Sequence, residues 1–531
     1  MRELITTTLS GNAPEMFLNQ VITTLVIIVF GYLAVSACSK AEDESVLHRI
    51  SLAFPFGIAV FSVVGSIVLI VGIPYRRVIL LIACLIVAVA CIAVLYSKDN
   101  TVSVKNKLLG SLAVKGIVIL LIATVAIVLY SCSGYSSISI SNDSMYYFWI
   151  YPKYIVKFEG LRDQFDVFLT DTGLGMAVFG TLPFLFGFGE TFGMQEAFHI
   201  SFLVYFWYAT KNMANQNGQS DKAASVIATM ATVLLGVCTP VYILAHWSMA
   251  NVFFMEFMFI VIHEAWIRER PIKLAVLLCS MSLFRMEGGM QCLFLIVCIA
   301  LLDYSATEIS IYMLAPAALL QGMYTYKIYT QYVFDSPYMF LTPRNAAVQI
   351  AAFAAVAVYL LLIIKHLPKI FKKHLPTCYI LALLAGNVLL FIADSHRYIV
   401  NVVSILRNMF RQSGWGIMPY FVTAFAVLLL AEALLCLRKN GLKGLADSLG
   451  GCETNSLQTG GTIRDVTYFA LVTVGYALMS VALLWARGSE LNENVGDSGN
   501  RVFLQIAPLV IFLLVRMVIW LIREKTDCEK A

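Results

Sequence analysis

The stretch SNDSMYYFWIYPKYIVKFEG, residues 141–160, carries a lone carboxylate at its head, Asp143, and follows the apolar run GIVILLIATVAIVLY. A carboxylate fixed where a membrane helix meets water can take a proton from a hydroxyl while a lipid-linked group is held beside it. Asp143, Tyr147, Ile150 and Tyr154 fall on one helical stripe by their spacing. Pro152 should kink that helix or start a new one. The same letters also read as an N-cap ahead of an interfacial helix, with tyrosine and tryptophan at headgroup level. Lys153, Lys157 and Glu159 follow, and then the acids Asp163, Asp166, Asp171 and Glu190. Two separated carboxylates facing a pocket would hold a divalent cation through oxygen ligands, with Asp166 and Asp171 the candidates. Their spacing fits solvated loop acids equally well.

A second constellation is LFRMEGGMQCLF, where Arg285, Glu287 and Gly288 interrupt an otherwise apolar stretch. Charges there are costly unless they face protein or water. Either Arg285 and Glu287 pair across a tight turn, or a helix break lines a cavity and Arg285 reaches a phosphate. Arg397, Arg407, Arg411 and Arg501 extend the set, because a guanidinium grips phosphate by a rigid two-point fork. Arg407 and Arg411 fit equally well on a surface helix touching lipid headgroups. Glu256, within NVFFMEFMFIV, is an acid inside an apolar run, with His246 and Trp247 just outside it. It suits a site, a proton path or a hydrogen-bonded packing position.

These residues must be positioned by membrane helices. Of 531 residues, 60% are hydrophobic and 13% charged, against about a quarter charged in soluble domains. Apolar runs long enough to span a bilayer recur near 17–37, 52–72, 77–96, 115–132, 192–210, 223–244, 248–267, 271–285, 289–303, 308–326, 346–364, 377–394, 417–437, 466–485 and 502–522. The pattern predicts an all-α polytopic membrane protein of about 13 to 15 transmembrane helices. The run GLGMAVFGTLPFLFGFG, 173–189, is broken by Gly180, Pro183, Gly187 and Gly189 and reads as a re-entrant or interfacial hairpin. With that reading the clusters Lys98/Lys105/Lys107/Lys115, Arg268/Arg270/Lys273, Lys365/Lys369/Lys372/Lys373, Arg438/Lys439/Lys443 and Arg523/Lys525/Lys530 share one side, taken as cytoplasmic. The N-terminus is then outside and the C-terminus inside, with Arg76 and Arg77 as the exception. Residues 1–132 form N-terminal helices, 133–191 a long external loop, and 192–531 the remaining bundle with external loops near 327–345, 395–416 and 486–501. The twelve cysteines form no CxxC or Cys/His cluster, which argues against a disulfide framework or structural zinc. The net charge of +5 resides in loops between spans and does not point to nucleic acid.

Taken together, DSMYYFWIYPKYIVKFEG, the broken hairpin ending FLFGFGETFG, the RMEG break and GNRVFLQIAP before the last helix resemble the GT-C superfamily of integral-membrane glycosyltransferases. The nearest in kind are polyprenyl-phosphate-sugar-dependent protein O-mannosyltransferases and lipid A aminoarabinose transferases. The resemblance covers roughly 115–300 and 486–522. It implies a GT-C-like bundle with an amphipathic first long external loop, and Asp143 as the catalytic base. The charged break of the family here reads Arg285-Met286-Glu287-Gly288, and the second acid of many members is Ser144. It further implies a polyprenyl-phosphate sugar as donor, a cell-envelope glycan, lipid or protein as acceptor, and inverting transfer at the outer face of a prokaryotic plasma membrane. Tyr147, Lys153, Arg285, Glu287, Arg397 and Arg501 become candidate substrate contacts. A lipid-linked saccharide flippase or transporter, or an O-antigen-type ligase or polymerase with its residues near 395–416, is the competing reading. Internal repeats, expected of many transporters, are not found in the sequence.

Overall fold

The computed structural model describes residues 13–39, 46–98, 150–161, 173–186, 194–238, 241–242, 245, 250–285, 288–302, 304–331, 343–364, 366, 375–411, 418–450, 462–487 and 502–530. Among them there is no strand; the architecture is helical. Four helices are long and apolar enough to cross a membrane, or five if one bent pair is a single span.

The first helices are α1 (Ala13–Cys38), α2 (Val46–Val71) and α3 (Arg77–Lys98). Short α4 (Tyr151–Phe158), α5 (Leu174–Gly180) and α6 (Leu182–Phe186) follow. Then come α7 (Met194–Gln216), α8 (Asp221–Gly236), α9 (Ala250–Trp266), α10 (Pro271–Phe284) and α11 (Gly288–Ala300). A π turn, Ile309–Leu314, leads into α12 (Ala315–Gln331). The chain continues through α13 (Pro343–Val358), α14 (Leu375–Ala393), α15 (Ser395–Arg411), α16 (Met418–Gly450), α17 (Thr462–Arg487) and α18 (Ala507–Lys530).

The chain divides into two compact units, Met1–Tyr205 with Leu244–Leu360, and Phe206–Ile243 with Leu361–Ala531. In the first, α2 and α10 are central. Of the best apolar window in α2, 78% is buried; in α3 the figure is 6%, so α3 is an outer helix that turns its leucines and isoleucines outward. An all-round apolar helix with so little protein contact requires lipid around it. The α1–α2 pair packs backbone to backbone: a Cβ at Gly31 would collide with the Ala53 carbonyl, and one at Gly57 would lie 2.6 Å from the Ile27 oxygen. Small residues permit such contact between apolar helices.

Prolines and caps set the short elements. Pro152 is accommodated in α4, and Ile150 just ahead of it already has helical angles, φ −76° and ψ −59°. The helix ends at Glu159, a left-handed residue with φ 56°, and Gly160 N–H returns to the Ile155 oxygen at 3.1 Å. The run 173–186 forms α5 and α6 with a break at Thr181, and α5 is buried along its whole length. Gly187 and Gly189 lie outside the described residues.

In the second unit, α14 and α15 meet at a bend of 118°. Asp394 Oδ1 caps the turn by accepting the Arg397 N–H at 2.9 Å. The stretch 395–411, expected as external loop, is therefore a helix. It packs on α14 and α17, and α17 packs on α14 and α18. α16 runs on as helix to Gly450, well past its apolar run.

Candidate functional site

One end of the first unit carries Arg285 and Lys153, two of the described residues among those predicted for a site. Arg285, at the break between α10 and α11, donates from Nη1 to Asn251 Oδ1 in the first turn of α9. Gly173, with φ 82°, brings the start of α5 against this break: a Cβ there would lie 2.5 Å from the Leu283 oxygen and 2.7 Å from the Arg285 nitrogen. Only glycine meets both demands without strain. The α2–α3 turn closes the same end. Tyr75 N–H donates to the Glu159 carbonyl at 2.8 Å, and Arg76 Nε–H donates to the Glu159 carboxylate at 2.7 Å. The Thr181 hydroxyl donates to the Val178 carbonyl at 2.7 Å, so at 2.8 Å it accepts from the buried Tyr75 O–H. Burial pushes the Tyr75 phenol up from its ordinary value.

Arg76 thus acquires a reason: it latches α4 to the bundle. Lys153 is exposed on α4, with its ammonium 5.8 Å from the centroid of the Phe184 ring. Lys327 approaches the same turn, its Nζ 3.6 Å from a Cβ at Gly72. Basic side chains therefore stand at this end of the unit, which the sequence placed on the outside. Lys273, counted with the cytoplasmic cluster, is not a loop cation at all.

Lys273 belongs to a buried network. Its ammonium lies 2.6 Å from Glu264 Oε2 and 3.7 Å from Glu269 Oε2. Glu264 Oε1 accepts from His48 Nε2–H at 2.6 Å and from the Tyr205 hydroxyl at 2.5 Å. With its proton given to Glu264, Tyr205 accepts from His263 Nδ1–H at 2.7 Å, which fixes that imidazole's tautomer. Tyr205, His263, Glu264 and Lys273 are each 0% exposed. The residues come from α2, α7, α9 and α10. About 12 Å along α9, Glu256 accepts from His199 Nδ1–H at 2.5 Å. Phe198, next to His199 in sequence, meets the rings of Phe253 and Phe257 in tilted contacts with centroids 4.9 and 4.8 Å apart. Glu196, one turn before His199, is also fully buried, and neither of its oxygens has a partner among the described residues.

The second unit holds a different arrangement around Arg397. Its guanidinium lies over the Trp485 ring at 4.7 Å. One turn on, Asn401 is 0% exposed, and neither its amide nitrogen nor its oxygen has a partner; Arg397 Nε and Trp485 Nε1 are likewise buried and unpaired, all among the described residues. On the opposite side of α15, Ile399, Val403, Leu406 and Phe410 are 47% to 55% exposed. Asn401 thus faces protein while this apolar row is exposed, together with His396 and Arg407.

Of the predicted residues, Asp143, Tyr147, Asp166, Asp171, Glu287 and Arg501 lie outside the described residues, as do His246 and Trp247. Arg285 and Lys153 belong to one end of the first unit, and Arg397 to the second unit. Arg285 has Asn251 as its described partner. Asn251, His199, Glu196, His48, Tyr205, His263, Glu264 and Asn401 were not anticipated. The signal they carry in the sequence is an ionisable or amide side chain inside or bordering an apolar run, the same signal that marks Glu256 and Arg285. Among the described residues, no group of three or more His, Cys, Asp or Glu is placed to hold a metal ion. Comparisons with protein-family models, with curated proteins and with solved structures each find no match.

Proposed function

We propose that the protein is an integral-membrane transferase of the GT-C kind, moving a sugar from a polyprenyl-phosphate carrier to an acceptor hydroxyl. The observation that supports this most is Arg285, presented at a helix break by Asn251 and Gly173. The helix that begins shortly after Asp143 is latched at the same end by Arg76 and Glu159. In the proposed step, the acceptor oxygen attacks the anomeric carbon while its proton passes to the Asp143 carboxylate. The anomeric C–O bond to the phosphate breaks, and the phosphate leaves with the bonding electrons. Arg285 binds that growing charge in a site of low dielectric, where a preorganised guanidinium is most effective. Lys153 adds a cation at the rim.

The test uses the purified full chain, a polyprenyl-phosphate hexose and a panel of acceptors. Transfer by the wild type is expected. Asp143→Asn should lower the rate about 10²- to 10⁴-fold, the usual range for a general base. Arg285→Gln should weaken both donor binding and turnover. Full transfer by Asp143→Asn would refute the assignment.

The buried ionisable groups favour a second reading, a lipid-linked saccharide flippase or carrier. Such groups inside an apolar bundle commonly mark coupling sites. Movement of a lipid-linked sugar across proteoliposomes without transfer, abolished by Glu256→Gln, would decide for it.

A further inference from the structure

We propose that the inner face of α15 is a binding site for a phosphate ester that also carries hydroxyl groups, with Arg397, Asn401 and Trp485 as its ligand contacts. The inference concerns the second unit alone and does not depend on the transferase reading.

Four buried polar functions converge on the α15–α17 interface: the Arg397 Nε–H, the Trp485 Nε1–H, the Asn401 amide N–H pair and the Asn401 carbonyl. None has a hydrogen-bond partner among the described residues. Native proteins leave few such groups unpaired, because each keeps the desolvation cost and receives nothing in return. Four unpaired functions from three side chains on two packed helices are not scatter. Arg397 and Asn401 are four residues apart on one helix, and Arg397 lies on the Trp485 ring. Packing shows that the cluster is built rather than frayed. One turn beyond Asn401, Ile405 is buried with Leu484 against Val481 and Phe503. About two turns before it, Asp394 holds the helix start.

The donors and the acceptor define the ligand. Two N–H groups, an amide NH₂ and a fixed guanidinium charge call for anionic oxygens, and a guanidinium suits phosphate. The Asn401 carbonyl requires a donor, which a hydroxyl supplies. The tryptophan ring that carries the guanidinium on one face offers apolar area to a glycerol or sugar carbon skeleton. An apolar amino acid at position 401 would have served packing better, so retention of an unsatisfied amide points to binding.

Two sources share this chemistry, a lipid headgroup and a soluble phosphate ester. The experiment separates them. The full chain, purified and stripped of lipid, is titrated with glycerol 3-phosphate or with phosphatidylglycerol, and occupancy is read by native mass spectrometry. Saturable binding of the lipid alone assigns a headgroup site; saturable binding of glycerol 3-phosphate assigns a soluble ester. Absence of saturable binding for both overturns the proposal. Asn401→Leu should weaken binding at least tenfold, and Arg397→Lys should do the same by removing the fork while keeping the charge. Unfolding of the ligand-free Asn401→Leu protein is measured alongside. Its midpoint should be equal to the wild type or higher, since a group without a partner is removed. A lowered midpoint, or undiminished binding by either variant, would show the cluster to be structural and overturn the assignment.

Discussion

Replacing Lys273 by Met tests the buried network most directly. Methionine keeps most of the stem and removes the charge. The ammonium contacts Glu264 at 2.6 Å and Glu269 at 3.7 Å, with no exposure on Lys273 or Glu264. Taking away one member of such a pair strands the other in a medium that solvates it poorly, a loss of about 3–5 kcal/mol. Glu264 is not abandoned altogether, because His48 and Tyr205 still donate to it. The lower half of that range is therefore expected. Adding Glu264→Gln removes the stranded charge while leaving a carbonyl for Tyr205. The double variant should recover part of the loss, giving a coupling of roughly 1–3 kcal/mol between the two positions. Equilibrium unfolding in mixed detergent micelles would measure the cycle. A single-variant loss under about 1 kcal/mol, or strictly additive losses, would mean that water reaches the cluster and that the ion pair is not the clasp described.

Two further outcomes follow from the geometry. Gly173→Ala should lose about 2–5 kcal/mol, from the left-handed φ of 82° and from collision with the 283–285 backbone. It should also alter the chemical reactivity of a cysteine placed at Arg285, and unchanged stability would refute the packing. The exposed Asp221 carboxyl is held below its ordinary value by hydrogen bonds from Lys211, at 3.2 Å, and from Asn215. Its contribution to the start of α8 is thus present above the unfolded carboxylate value of about 3.9 and fades as pH falls through the lower folded value. Protection of amides 223–225, relative to their intrinsic exchange rate at each pH, should fall on acidification, and Lys211→Met should move that change to higher pH.

The membrane helices were legible because hydrophobic length is a local property. The expected span 77–96 is α3, Arg77–Lys98; the run 271–285 is the apolar helix α10, Pro271–Phe284, whose 14 residues are fewer than a membrane crossing takes. The elements beyond apolar runs were less visible. α16 continues through RKNGLKGLADSLG, whose three glycines weigh against helix on propensity, so the sequence reads there as basic loop. The buried network was hidden for a different reason. His48 and Glu264 are separated by 216 residues, and each sits near the end of an apolar run, where a charge reads as an ordinary boundary. Lys273 showed the same ambiguity: near two arginines it counts as a loop cation until its neighbours in space are known.

The helix at 395–411 carries this argument one step further. Its alternation of polar and apolar positions is plain in YIVNVVSILRNMF, and it was read as an amphipathic surface segment. Periodicity gives the angle between the two faces and leaves their direction undetermined. Direction is set by what the helix packs on. Here Ile405 meets Leu484, and Arg397 meets Trp485, so Asn401 turns inward beside Ile405 and the row of Ile399, Val403, Leu406 and Phe410 turns out. An outward apolar row is at home in lipid and costly in water. An inward Asn401 without a partner is costly in either. Lipid surroundings account for the first half of this inversion, and a bound polar molecule would account for the second, which is why the two halves call for different experiments.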